Sequence, residues 1–333
     1  MPTFCRHNRL LQNCPICSRE QAIELRPIVS SSAPRSSTAA PRQPRAARSP
    51  STPRATRPAG RGEGGVRVRR LARGADDGYH SPLVPGLHSS DDAERLAQEL
   101  AFAARRLQVL SVDPPGLYRE IADSARDIEE RTWAAFLTAY LCPLDEQDPF
   151  TSIRETRTSW ASGADPELEH AQTGPRAAHD PARGSRTLEA YRAWSSRAGS
   201  QSAAITGEAS WTPQRRFARV FERLALPGFH RDARFDFLVT LGCLGVYELE
   251  AGSLQLGGAN EPTLAAKRIF GIGDQLLLER RAAELAAAAG LALEAFDAAL
   301  YNWGRGKRAT LGLGQDAEPD PQALRSVREA LGL

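Results

Sequence analysis

Long apolar runs are missing from this sequence. No stretch approaches the roughly 20 residues that a membrane-spanning helix requires, so no membrane partner is expected. The opening residues, Met1 to Arg9, are polar and hold Cys5, His7 and two arginines, which does not suit a secretory hydrophobic region. Lysine is almost absent, Lys267 and Lys307 being the only two. A GC-rich genome explains that bias more readily than a nucleic-acid partner does, so arginine abundance alone is weak evidence for nucleic acid. Five cysteines make an odd count that does not suit a disulfide framework. A reducing, cytoplasmic setting, with nucleoid association, is the expectation. Walker loops, dinucleotide fingerprints, Ser-His-Asp patterns and H-E-x-x-H are absent, which excludes the familiar phosphotransfer, redox and hydrolase motifs.

What is present is unevenly distributed. The stretch from Arg26 to Arg73 holds twelve arginines and one acid, a formal +11. Residues 1–25 carry +1, so the total of +3 leaves residues 74–333 at −9. A basic tail on an acidic globular part points to an interaction arm. Residues 26–90 are rich in Pro, Ser, Ala, Arg and Gly and have almost no large apolar side chains before Val66. Such a segment buries too little surface to offset its ordering entropy, so it is expected to be a disordered linker.

Four metal-type donors lie within the first 25 residues. Cys5, His7, Cys14 and Cys17 read C-x-H-x6-C-x2-C, a Cys3His set suited to a tetrahedral ion. Four protein ligands would close the shell of a Zn2+ ion, making the expected knuckle structural and not hydrolytic.

From residue 91 to 333 the pattern is helical, and the expected fold class is all-α. Ser89-Ser90-Asp91-Asp92 reads as a helix cap, followed by Leu96, Leu100, Ala103, Leu107 and Leu110 on one face. Leu117 to Leu141, Leu188 to Trp194, Pro213 to Leu226 and Phe235 to Tyr247 continue it. Residues 143–186 are polar and aperiodic, and read as a surface excursion. Helices from Pro262 to Phe270, Gln275 to Ala289, Glu294 to Trp303 and from Pro321 complete the domain. Cys142 and Cys243 sit in apolar runs and read as core thiols. His80, His88, His170, His179 and His230 show no ligand spacing and read as solvated.

Three stretches carry candidate chemistry. Gly271-Ile272-Gly273 between two helical patterns has the form of a helix-hairpin-helix anchor for a DNA backbone, with Lys267 and Arg268 beside it. Leu277 stands where a small residue is usual, and Asp274 brings an acid to the turn, so a plain helix-helix turn stays open. Gly228 to Asp236 combines Arg231, Arg234, two aspartates and His230 at the head of an apolar helix. That is a phosphate or base-binding arrangement, or an ordinary charged helix start. Trp303, Lys307 and their neighbours combine stacking and cationic groups, as nucleic-acid contacts do, and equally suit a helix end.

Taken together, F-C-R-H-N-R-L-L-Q-N-C-P-I-C-S-R-E at the start, W-A-A-F-L-T-A-Y-L from Trp133, L-P-G-F-H-R-D-A-R-F from Leu226 and R-I-F-G-I-G-D-Q-L-L-L-E-R-R-A from Arg268 resemble the amino acid:DNA transferases. These are also called alpha-glutamyl/putrescinyl thymine pyrophosphorylases. The resemblance implies a DNA glycosylase-like helical domain and a transferase reaction. The amine of an amino acid or polyamine would replace pyrophosphate on a pyrophosphorylated 5-hydroxymethyluracil in DNA, downstream of a base kinase. It further implies Asp236 or Asp274 as the base, Arg231, Arg234 and Lys267 as stabilisers of the leaving group, and Lys267, Arg268, Gly271, Gly273, Trp303 and Lys307 as DNA contacts. The lysine–aspartate pair of many glycosylases is not recognisable. A glycosylase-like repair protein and a non-catalytic DNA-binding adaptor are the alternative readings.

Overall fold

The computed structural model describes residues 74–333 apart from Arg183, Gln315 and Asp316. The Cys3His knuckle and the arm up to residue 73 lie outside the described residues. Among the described residues there are twelve helices and no strand. None of the helices is long and apolar enough to cross a membrane.

The stretch 74–89 belongs to the folded domain, which corrects the expected end of the linker at residue 90. Val84 and Leu87 are buried in the core, and Tyr79 donates its hydroxyl to the Leu331 carbonyl at 2.7 Å. Asp77 takes over the capping task expected of Ser89. Its carboxylate accepts from the Ser90 amide and hydroxyl, whereas the Ser89 side chain makes no cap. Helix α1, Ser90–Val112, then buries Leu96, Leu100, Ala103 and Leu110 along one face.

The run from Leu117 to Leu141 is two helices. α2, Leu117–Ala122, ends before Asp127, whose carboxylate accepts from the Glu129 and Glu130 amides and starts α3, Ile128–Leu141. Short α4, Thr151–Thr156, lies in the expected excursion; α5, Gly184–Arg197, and α6, Gln201–Thr206, follow it. α7, Pro213–Arg223, packs on α8, Arg231–Cys243, and α8 packs on α3. The remaining helices are α9, Glu261–Phe270, α10, Gln275–Ala289, α11, Glu294–Arg305, and α12, Pro321–Leu331.

Packing divides these helices into two groups. α1 rests on α11 and α12, and α9 on α11; α3 rests on α2, α6 and α8. The two groups meet where α8 touches α1 and α11. On the α3–α8 side, aromatic rings fill the core: Phe136 stacks on Tyr191 with centroids 3.7 Å apart and meets Phe229 and Phe237.

Residues 143–186 are not a plain surface excursion. Phe150, Ile153, Leu168 and Arg176 are buried. The segment turns back onto the end of α3, whose carbonyls at Tyr140, Leu141 and Cys142 accept from the amides of Gly174, Ala178 and His179. Helix ends leave such carbonyls without partners, and this loop supplies them. Gly174 is required sterically, because a Cβ there would lie 2.0 Å from the Pro143 carbonyl oxygen. Polarity concealed this burial, since backbone bonds and ion pairs, those of Arg176 among them, hold the segment in place of an apolar stripe.

Candidate active site: a buried arginine–aspartate cluster

Where the two helix groups meet, charged side chains occupy the interior. The cap at His230, which accepts from the Ala233 amide, starts α8 so that Arg231, Asp232 and Asp236 fall in its first two turns. Asp297 comes from the first turn of α11, Arg106 from α1 and Arg176 from the returning loop. All six are buried.

Arg176 grips Asp236 with both arms of its fork, Nε to Oδ2 at 2.7 Å and Nη2 to Oδ1 at 3.1 Å. Nη2 also donates to Asp297. Arg231 donates to the other Asp297 oxygen, to Asp232 at 3.1 Å and to the Leu254 carbonyl. Asp297 therefore bridges two guanidinium groups, and Arg176 bridges two carboxylates. The Tyr301 ring lies 4.7 Å from the Arg176 guanidinium, and its hydroxyl donates to the Pro175 carbonyl at 2.5 Å. Two guanidinium nitrogens, Arg176 Nη1 and Arg106 Nε, are buried without a partner among the described residues. Unsatisfied buried donors are rare in folded proteins and mark places where water, ligand or strain is accommodated.

Burial drives the titration of this cluster. It raises the Asp236 carboxyl above its ordinary range despite Arg176 and Arg106. Burial acts in the same sense on Asp297, but there Arg231 and Arg176 outweigh it and hold the carboxyl low. Two carboxylates on one arginine thus have environments that push them apart, the arrangement that assigns acid and base roles in enzymes. Burial also lifts the neighbouring Cys142 thiol to about 12 and the Tyr118 hydroxyl to about 12, so neither ionises near neutrality.

A cavity touches the cluster at Asp236. Arg106, Tyr118, Thr138, Cys142 and Thr240 line it as well, and its volume is about 10 Å³. That is room for one water at most.

The helical hairpin is tied to the cluster through one loop. Arg231 holds the Leu254 carbonyl from one side, and Glu279 of α10 accepts from the Leu254 and Leu256 amides at 2.7 and 2.5 Å. Gly271 ends α9 in the left-handed conformation, and Asp274 starts α10 by accepting from the Leu277 amide. Gly271, Gly273 and Asp274 are exposed, with Lys267 and Arg268 half-buried beside them. Neither of these two cations pairs with a carboxylate among the described residues. Leu276, 80% exposed, and Leu277 also face solvent there.

Residues 170–308 match the family model for alpha-glutamyl/putrescinyl thymine pyrophosphorylase, clade 3. Over that segment the chain is similar to this family. No curated protein and no solved structure matches the chain. Within the pyrophosphorylase match lie Arg176, Arg231, all three cluster aspartates and both helices of the hairpin. Arg106, Tyr118, Thr138 and Cys142 of the cavity wall precede it, and Leu311 follows it.

The candidate residues separate into three places. Asp236 and Arg231 join in the cluster. Arg234 faces α7 instead, donating to the Phe221 carbonyl at 3.0 Å with its guanidinium 4.3 Å from the Phe221 ring. Asp274 is exposed and serves as a helix cap, so the two aspartates do not share a site. Lys267, Arg268, Gly271 and Gly273 gather at the hairpin.

Trp303 is a core residue, 5% exposed, with its indole N–H donating to the Asp92 carbonyl at 3.0 Å. It fastens α11 to α1 and offers no free face for stacking, because its neighbours in α11 turn that side inward. Lys307 is exposed and 3.8 Å from Asp145. His179 is half-buried against Tyr140 and the Leu168 carbonyl, not solvated as expected.

Sequence reasoning missed Asp297, Arg176 and Arg106. Asp297 left a usable signal, an acid between Phe296, Leu300 and Tyr301 on the apolar side of its helix. Arg176 left none, since nothing in a polar segment distinguishes an arginine that turns inward.

Proposed function

We propose that this chain modifies thymine-derived bases in DNA by transfer of an amine. The substrate base would be a pyrophosphorylated 5-hydroxymethyluracil. The amine nitrogen of an amino acid or polyamine would bond to the 5-methylene carbon. The carbon–oxygen bond to pyrophosphate would break, and the proton lost by the amine would go to a carboxylate. Asp236 suits that last task. It is raised above the ordinary carboxylate range by burial, and a base works best with a pKa nearer the working pH. Arg176 and Arg106, each with an unpartnered nitrogen beside it, suit the developing charge of the leaving group.

The single observation that carries this reading is Asp236 joining the buried cluster to a cavity, inside the segment that matches the pyrophosphorylase family. Since that cavity admits only a water, the Arg176 loop must withdraw before a base flipped out of the duplex reaches Asp236. The hairpin, with its exposed glycines and two free cations, supports the duplex backbone in this scheme. Cys5, His7, Cys14 and Cys17 would hold a structural zinc ion, whose chemistry is to fold the knuckle and not to act on the base.

Incubating the protein with pyrophosphorylated hydroxymethyluracil DNA and a panel of amines, followed by mass spectrometry of the digested nucleosides, tests the reading. A new amine-bearing nucleoside is expected. Abasic sites in its place would indicate glycosylase chemistry, and unchanged nucleosides across the panel would refute the proposal.

A further inference from the structure

A second cavity, of about 480 Å³, opens between α2, α3 and the segment that follows α4. Its volume falls in the range of sites for small organic ligands, and the reaction above makes no use of it. Its apolar side is Ala134 of α3, with Trp133 and Leu137, each 1% exposed, behind it. Its polar wall holds three arginines, Arg126, Arg131 and Arg157, and three acids, Glu120, Asp127 and Glu130.

Formal charge balances, but hydrogen-bonding capacity does not. Glu130 is occupied by the Ser159 hydroxyl and by the Trp160 and Ala161 amides. One oxygen of Asp127 is taken by the two amides that begin α3. Arg126 and Arg157 converge on the same oxygen of Glu120, at 3.1 and 2.9 Å, leaving further N–H groups on both. Arg131 is 9% exposed. It spends Nε and Nη2 on the Ile121 and Ala122 carbonyls, and its Nη1 makes no hydrogen bond among the described residues. Three guanidinium groups thus border one cavity with donors to spare. An oxygen of Glu120 already marks the point where an oxyanion sits between two of them. Guanidinium forks match phosphate oxygens particularly well.

We infer that this cavity binds a nucleotide, with its phosphate on Arg126, Arg131 and Arg157 and its base or sugar against Ala134. A bare phosphate would leave most of the volume empty. The remaining oxygens of Glu120 and Asp127 accept from sugar hydroxyls or base N–H groups. The nucleotide comes either free from solution or as one unit of a DNA strand.

Titration of the full chain with thymidine 5′-monophosphate, followed by tryptophan fluorescence and calorimetry, tests the inference. Saturable binding is expected, with thymidine at least about tenfold weaker because it lacks the phosphate. The double variant Arg126→Gln/Arg157→Gln is expected to lower nucleotide affinity by about tenfold or more with an unchanged helical circular dichroism spectrum. Arg197→Gln, remote from this cavity, is expected to leave affinity unchanged. Absence of saturable nucleotide binding up to about 10 mM, equal affinity for thymidine, or undiminished affinity in a folded double variant would overturn it. A short DNA duplex then separates the two sources: displacement of the nucleotide assigns the cavity to a strand, and independent binding assigns it to a free nucleotide. Failure of the amine-transfer assay leaves this result untouched, because the cavity does not include Asp236.

Discussion

Arg231 and Glu279 hold the same peptide segment from its two polar sides. Arg231 donates to the Leu254 carbonyl, and Glu279 accepts from the Leu254 amide at 2.7 Å. Through that loop the buried cluster on α8 and α11 is joined to the second helix of the hairpin. The junction gives the DNA contact proposed for the hairpin a physical route to the cluster.

Glu279→Ala should therefore loosen both ends. It leaves the Leu254 and Leu256 amides without acceptors, at a cost of about 1–3 kcal/mol for each buried group. Hydrogen exchange should speed up at these two amides and at the start of α10. Unchanged exchange at Leu254 would separate the hairpin from the cluster.

Asp297→Asn should destabilise the fold more than any single change at the hairpin. Removing one partner of a buried ion pair typically costs about 3–5 kcal/mol, and Asp297 serves both Arg176 and Arg231. Urea denaturation gives the value. A loss similar to that of an exposed substitution would contradict the cluster's structural role.

Gly86→Ala tests the support of the hairpin turn. A Cβ at this position would lie 2.0 Å from the Arg268 carbonyl oxygen and 2.7 Å from the Gly271 nitrogen. The Gly86 amide also donates to the Ile269 carbonyl at 2.9 Å. Loss of thermal stability and weaker DNA binding are expected together. Wild-type values in both would show that residues 74–89 do not buttress the turn.

Lys267→Gln/Arg268→Gln and Trp303→Phe should act on different properties. The first pair should weaken DNA binding uniformly across sequences and reduce the salt slope by about two, with little change in melting temperature. The second should lower the melting temperature, because the indole N–H to Asp92 is lost, and leave the salt slope unchanged. Filter binding across salt concentrations and a thermal melt distinguish them.

Acid should release α6 before the core. Burial opposes ionisation of Glu129, but hydrogen bonds from Ser202 and Gln201 outweigh it and lower its pKa from 4.5. A lowered folded value means that this contribution is present above about pH 4.5 and is lost as pH falls through the folded pKa. Exchange of the Gln201 and Ser202 amides should accelerate in that window, and Glu129→Gln should remove the pH dependence.

The helices were largely legible because their apolar spacing and caps are local. Asp274, Asp320 and the prolines at 213, 262 and 321 mark helix starts that the structure keeps. The break at Asp123–Asp127 within the run to Leu141 was not, since apolar spacing continues across it. Half of the cluster was also legible, Arg231, Asp232 and Asp236 standing in one charged helix head. Asp297 and Arg176 lie 61 and 60 residues from Asp236 in the chain, and such long-range pairing has no local signature. Trp303 was misread for a related reason: an aromatic beside cations looks the same in sequence whether its ring faces solvent or the core.

The most direct test of the central claim pairs wild-type protein with Asp236→Asn on pyrophosphorylated hydroxymethyluracil DNA and an amine, recording pyrophosphate release against pH. Wild type should release one pyrophosphate per amine adduct, with a rate that rises with pH through the elevated pKa of Asp236, while a folded Asp236→Asn should lose the activity by about a hundredfold or more. Equal release by the two proteins would remove Asp236 from the chemistry and contradict the account.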